Sequence, residues 1–343
     1  MNDTKNRDSG PEILRILLMT MIVMHHIIVH GLGLAEFPIA VKTPNSLLAV
    51  ELSYNAFLTI GVNAFVLISG YYGIKYKTKN LFSLFLQGLI YSVSIWYICH
   101  TFLGREGFIS PVQYWFCVCY FALYLISPYI NKSIADLADR QLIALTTIIL
   151  FLLCIIGFAG NAHHVLGGGY GFVQILAMYI TGRTINRFRE FIGKIKIKHL
   201  LVLFAICYLG VLIPAFSLFH KCTAMSWNLF SYDNPLNIIN ACILFLLFSK
   251  IKIKIDWIRK ISSHMLGVYM LHENGFSREF LKHIVLSLIS NWEQALFFIP
   301  SLAVVIVILG IIIDIPIAIA INTVINHHLV RKVIGPIDRF VQI

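Results

Sequence analysis

Apolar residues run through this chain in blocks rather than in alternation. Stretches near the twenty residues that carry a helix across a bilayer recur from end to end. They predict helical spans over approximately 12–30, 47–74, 81–102, 111–130, 141–158, 171–187, 199–219, 235–250, 260–276 and 295–325. The ninth is short and turns polar at its end, which fits a half-helix or re-entrant segment covered by protein. Continuous hydrophobicity, without a two-residue alternation, excludes a transmembrane β-barrel. The expected fold class is all-α: a polytopic integral membrane protein of about ten transmembrane helices, with residues 1–343 as one membrane domain.

Composition agrees. Of 343 residues 58% are hydrophobic and 13% charged, with a mean hydropathy of +0.81, and no hydrophilic segment is long enough for a separate soluble domain. The net charge of +11 would point to nucleic acid if the charges were clustered, but they flank the spans and serve as topology signals facing anionic lipid. Of the 27 lysines and arginines, 21 fall on one side of the ten-span arrangement; five (Lys42, Arg105, Lys221, Arg278 and Lys282) fall on the other, and Arg15 lies within a span. That bias places both termini in the cytoplasm of a cell membrane. The seven cysteines show neither metal-ligand spacing nor a disulfide framework and read as small packing residues, and no metal is expected. The first span lacks the small-residue cleavage site of a signal peptide. The loop 158–170, with His163, His164 and three consecutive glycines, reads as a connector or as a mobile lining of an outer vestibule.

Polar residues inside spans are the candidates for chemistry, because a charge in the bilayer costs at least a few kcal/mol. In the first span, EILRILLMTMIVMHHIIVHG, Arg15 and His26 are eleven residues apart, about three turns and about 16 Å along one helix face. His25 points about a quarter-turn away. Arg15 either snorkels to the interface, with the histidines satisfied in the bundle, or it needs a functional partner. The topology puts Arg15 and Ser69 in an inner, basic layer, while His26, His272 and Glu273 reach similar depth beyond mid-membrane. Asp314 lies in the inner half, where pairing with a nearby cation beside Pro316 is its plain reading. Glu51 and Tyr54 lie near the outer end of the second span, where Glu51 reads as an interfacial surface residue or a substrate contact. Arginine suits phosphate, and a neutral histidine in a partly dry site is a good general base. The track therefore fits a phosphate-bearing donor with chemistry deeper in the membrane, and equally an anion or proton-coupled carrier.

Four segments carry a resemblance. Arg15 and His26 match an arginine–histidine motif in the first span. Phe65 to Lys75 (FVLISGYYGIK) matches a phenylalanine-rich SG motif, and Tyr114 to Asn131 contains a WF pair followed by YLxSPxxN. Leu266 to Glu279 (LGVYMLHENGFSRE) carries YxxH before an acidic residue. Together they resemble the membrane-bound acyltransferase-3 family, in its branch that O-acetylates bacterial surface polysaccharides. The resemblance implies transfer of an acyl group, usually acetyl, from cytoplasmic acetyl-CoA to a hydroxyl of a glycan or its lipid-linked precursor. It implies His26 as catalytic histidine; His272 or Glu273, at similar depth, is expected to orient the site. It further implies Arg15 as a donor-binding residue, Ser69 and Gly70 shaping the donor channel, and Lys75 among the charges near it. Lysines 75, 77 and 79 stand where the family carries arginines. Membrane lipid and polysaccharide-assembly proteins are the further partners expected, with a carrier or a scaffold as the rival functions.

Overall fold

The computed structural model describes residues 8–34, 45–104, 114–160, 167–219 and 228–341, and within them the chain is helical with no strand. Helix α1 (Gly10–His26) opens into a π turn over Ile27–Gly31. Helices α2 (Asn45–Leu58) and α3 (Gly61–Tyr72) form one long broken rod, followed by α4 (Thr78–Leu103) and α5 (Trp115–Asp136). Helix α6 (Asp139–Phe151) runs on as a π segment, Leu152–Ala159, and α7 (Phe172–Arg187) leads through the short α8 (Arg189–Ile192) to α9 (Ile197–Phe219). The last third contains α10 (Pro235–Ser249), α11 (Asp256–Ser262), α12 (Met265–His272), α13 (Gly275–Leu288), α14 (Trp292–Asn326) and α15 (His328–Val341). His163 and His164 lie outside the described residues.

Among the described residues six stretches are long and apolar enough to cross a membrane: Gly10–Gly31, Asn45–Tyr72, Thr78–Phe102, Asp139–Ala159, Ile197–Leu218 and Trp292–Asn326. All ten expected windows contain helix. The ninth is the outlier, for α12 has eight residues, about 12 Å of rise, and is broken off on both sides. Helix α1 is enclosed: Leu14, Leu18, Val23, Ile27 and Ile28 are fully buried. Helices α9 and α14 instead turn isoleucine and valine outward, at Val202, Ile206 and Ile213 and at Ile308, Ile312 and Ile319. Exposed aliphatic stripes around a core holding buried asparagine, histidine and carboxylate side chains are the arrangement of a protein whose solvent is lipid.

Two helix crossings are close enough to require glycine. A Cβ on Gly70 would stand 2.2 Å from the Tyr179 carbonyl oxygen, and one on Gly182 would stand 2.5 Å from that of Leu67, so α3 and α7 touch backbone to backbone. Likewise Gly267 of α12 makes room for the Asp314 carboxylate, and Gly310 of α14 for Val268.

The basic segments meet at one end of the bundle. Ser9 N–H donates to the Ile253 carbonyl, and Lys252 pairs with Asp8. Lys250 Nζ reaches the Gly193 carbonyl, Arg187 pairs with Asp139, and Thr78 N–H donates to Asp338. The segments that share an excess of lysine and arginine are thus neighbours in space.

Candidate active site

The site is assembled where two helices stop. Helix α1 ends at His26 and continues as the wider π turn, a feature that often marks functional positions. Helix α12 ends at His272, and Asn274 caps α13 by accepting from Ser277 N–H, which leaves Glu273 at the break between them. Gly31 of the π turn packs against Val285 of α13, and this seats α13 so that Arg278, one turn in, closes over Glu273. His26, His272 and Glu273 are 8%, 4% and 6% exposed, so the cluster is dry.

Hydrogen-bond roles in the cluster follow from one backbone group. His272 Nδ1 lies 2.6 Å from the Val268 carbonyl oxygen, which can only accept, so Nδ1 carries the proton. In the neutral ring this makes His272 Nε2 an acceptor. His26 Nδ1 lies 3.0 Å from that nitrogen and 2.8 Å from Glu273 Oε2, two acceptors, so His26 Nδ1 is the donor to both. In the neutral ring the lone pair of His26 is then on Nε2. Glu273 is held in turn by Arg278, whose Nη2 meets Oε1 and whose Nε lies 3.2 Å from Oε2. The order guanidinium, carboxylate, imidazole gives a histidine of defined tautomer whose cationic form has a carboxylate waiting for it, the arrangement a general base requires.

His26 opens onto a slot lined also by Met19 and Ile22 of its own helix, Val62 and Phe65 of α3, Trp115 and Phe116 of α5, Leu266 and Tyr269 on the α12 side, and Tyr232. Arg15, Met19, Ile22 and His26 follow helical spacing, so the slot runs along the face that leads from His26 toward the basic end. Phe65 and Phe116 meet edge to face at 6.1 Å, and one turn further on Ser69 Oγ and Tyr120 Oη are 3.1 Å apart.

At the basic end Arg15 pairs through Nη1 with both oxygens of Glu12, at 2.8 and 2.6 Å, and Glu12 also accepts from Ser262. Arg15 therefore has a structural partner on its own helix, and its side chain remains 22% exposed. Gly70 lies at the α3–α7 crossing, and the Lys75 side chain is exposed. The structure also ties the SG and YLxSPxxN segments together. Asn131 donates to the Ile74 carbonyl and accepts from Tyr179 Oη, which itself accepts from Ile74 N–H; Tyr124 Oη accepts from Lys77 N–H. Together these pin the loop after the SG pair. Gly73 in that loop has φ +70°, and Arg183 Nη1 would stand 2.8 Å from a Cβ there. A guanidinium from α7 thus lies against the loop after the SG pair.

The other polar candidates are placed as follows. Asp314 accepts from Gln87, Tyr91 and His264 at 2.9, 2.8 and 2.7 Å, tying α4, the start of α12 and α14 together away from His26. Glu51 is 1% exposed and faces the interior with Asn55 and Thr59, which corrects the surface reading. His25 is drawn aside by Asn55 Oδ1 at 2.6 Å, which separates its role from that of His26. His30, Arg278, Tyr269 and Arg183 are not singled out by sequence: Arg278 counts only as a charge outside the spans, and Tyr269 only as part of a motif. Ligand atoms of His26, His30 and Glu273 lie within 4.8 Å of one another, as in a metal cluster. Arg278, however, already supplies positive charge to both oxygens of Glu273, so the set fits a guanidinium relay better than a metal ion.

A family model described as an acyltransferase domain matches residues 8–322. No curated protein and no solved structure matches the chain. The match takes in the first span with Arg15 and His26, the SG loop and the segment bearing His272, Glu273 and Arg278, and the chain belongs to the acyltransferase-3 family of membrane acyltransferases.

Proposed function

We propose that the protein transfers an acetyl group from cytoplasmic acetyl-CoA to a hydroxyl of a cell-surface or exopolysaccharide glycan, or of its lipid-linked precursor. The observation that carries this reading is His26, which presents an unprotonated Nε2 beside a slot while Glu273 and His272 hold its Nδ1 proton. With both termini in the cytoplasm of the cell membrane, the basic end is the donor side. Arg15, Arg183 and Lys75 supply cationic groups there for the phosphates of coenzyme A, and Ser69 and Gly70 belong to the wall between that end and His26. The acyl arm follows the Arg15–His26 face, where the flexible Met19 side chain gives the slot a wall that can yield.

His26 Nε2 takes the proton of the acceptor hydroxyl as that oxygen attacks the thioester carbon. Glu273, backed by Arg278, stabilises the imidazolium, which returns the proton to the departing thiolate. His272 fixes the tautomer. Membrane lipid surrounds the exposed aliphatic helices, and polysaccharide-assembly proteins are the partners that would present the acceptor. The test is NMR of surface polysaccharide from a deletion strain complemented with wild-type protein or with His26→Ala. Loss of an O-acetyl signal on deletion, restored by wild type and not by His26→Ala present at normal level in the membrane, supports the proposal. A His26→Ala strain that acetylates normally ends it.

A further inference from the structure

We infer that Tyr269 is a second catalytic residue of this site, donating its hydroxyl to the thioester carbonyl oxygen and to the negative charge that develops there. The inference rests on the acyl-transfer reading above.

Tyr269 is 5% exposed and lines the slot with His26, yet its hydroxyl has no hydrogen-bond partner among the described residues. Tyrosines elsewhere in the bundle use theirs: Tyr91 donates to Asp314, Tyr114 to the Met270 carbonyl and Tyr179 to Asn131, and Tyr120 pairs with Ser69. A buried hydroxyl without a partner is a standing cost that phenylalanine would avoid at no loss of packing. Tyr269 is also held still. Its ring meets Phe116 edge to face at 5.7 Å and His272 at 6.0 Å, and the preceding residue, Val268, is seated against Gly310.

The chemistry of the slot narrows the donor to Trp115, Tyr232 and Tyr269, and of these only the Tyr269 hydroxyl is buried without a hydrogen-bond partner among the described residues. Of its lining side chains only His26, Trp115, Tyr232 and Tyr269 carry a polar hydrogen; the rest are Met19, Ile22, Val62, Phe65, Phe116 and Leu266. The acceptor hydroxyl gives its own proton to His26 and needs no further donor. The carbonyl oxygen does need one. As the C–O bond forms, the carbonyl π pair moves onto that oxygen, and a fixed O–H in a dry site stabilises it. When the tetrahedral intermediate collapses, the pair returns to re-form C=O, the C–S bond breaks, and the thiolate takes the proton from the His26 imidazolium. Tyr269 keeps its proton throughout. It sits three residues before His272, so one short helix supplies both the oxyanion donor and the residue that sets the base.

The experiment is Tyr269→Phe in the full-length protein, purified in detergent. Expected is a fall in kcat of roughly 10²–10³-fold with KM for acetyl-CoA little changed, and a melting temperature equal to or above that of the wild type. Carbonyl-labelled (¹³C) acetyl-CoA bound to His26→Asn should show its C=O stretch at lower frequency than when bound to His26→Asn/Tyr269→Phe. A Tyr269→Phe protein with near-normal kcat, a loss of activity matched by a loss of stability, or a carbonyl band that the second substitution does not move would each overturn the inference. If Tyr269→Phe is active while His26→Ala is dead, the inference falls alone. If both are active, the acyl-transfer reading falls with it.

Discussion

The carbonyl of Val268 determines which nitrogen of His26 carries the proton, with His272 standing between the two. Val268 O accepts from His272 Nδ1, and His272 Nε2 accepts from His26 Nδ1. A backbone group on α12 thereby sets the state of a side chain on α1. Val268 is itself positioned by Gly310 of α14, so three helices must be in register for the base to be correct.

The first prediction concerns this relay. His26→Ala removes the base and should reduce kcat by about 10²–10⁴-fold. His272→Phe keeps Glu273 as acceptor and should cost less, about tenfold, because one of the two acceptors of the His26 proton remains. Steady-state acetyl transfer checks the order; a His272→Phe enzyme as dead as His26→Ala would make His272 the base instead.

Arg278→Ala should leave the Glu273 carboxylate buried without its guanidinium. Breaking a buried ion pair costs about 3–5 kcal/mol, but the Arg278 side chain is 36% exposed, so about 1–3 kcal/mol is expected after discounting for solvent. Thermal unfolding in detergent measures it. Arg278→Lys should recover part of the loss, since it keeps the charge but not the fork.

On the donor side, Arg183→Ala should raise KM for acetyl-CoA and leave kcat near normal, because it acts on binding rather than on the reacting centre. Arg15→Lys should do the same to a smaller degree, as a cation remains next to Glu12. Donor titration of the two variants checks both, and an unchanged KM in both would move the phosphate site elsewhere.

Gly70→Ala should unfold the protein before it changes chemistry. Its Cβ would meet the Tyr179 carbonyl oxygen at 2.2 Å, a clash with backbone that no rotamer relieves. A loss of about 1–3 kcal/mol or more is expected, read as a lower melting temperature with acetyl-CoA affinity intact in the folded fraction. A stable variant with weakened donor binding would show that Gly70 acts through the donor path rather than through the helix crossing.

Asp314→Asn should weaken the ties among α4, α12 and α14, at about 1–3 kcal/mol for the lost charged acceptor. Because α12 carries His272, kcat should fall along with stability, whereas KM for acetyl-CoA should hold. Unfolding and kinetics on the same preparation check the pairing.

Much of this protein is legible in one dimension. Membrane helices announce themselves because a bilayer demands about twenty apolar residues in a row, and the first span named Arg15 and His26 because helical spacing is local. The motif around His272 and Glu273 was equally visible. What the chain could not show is any relation between distant segments. Arg278 read as a loop charge until the α12–α13 break folded it over Glu273, five residues away. Arg183 gains its neighbour only because the α3–α7 glycine contact carries it to Gly73. For Glu51 the sequence leaves a surface role and a substrate contact open, because position along a span gives depth but not azimuth; packing turns it inward. The orphan hydroxyl of Tyr269 exists only once its neighbours are in place. Sequence by itself determined the class of molecule, the helical windows and the two ends of the Arg15–His26 face, because hydrophobic length and helical period are properties of contiguous residues. Proton positions, charge partners and the slot were decided by tertiary structure, because each depends on atoms brought together from helices far apart in the chain.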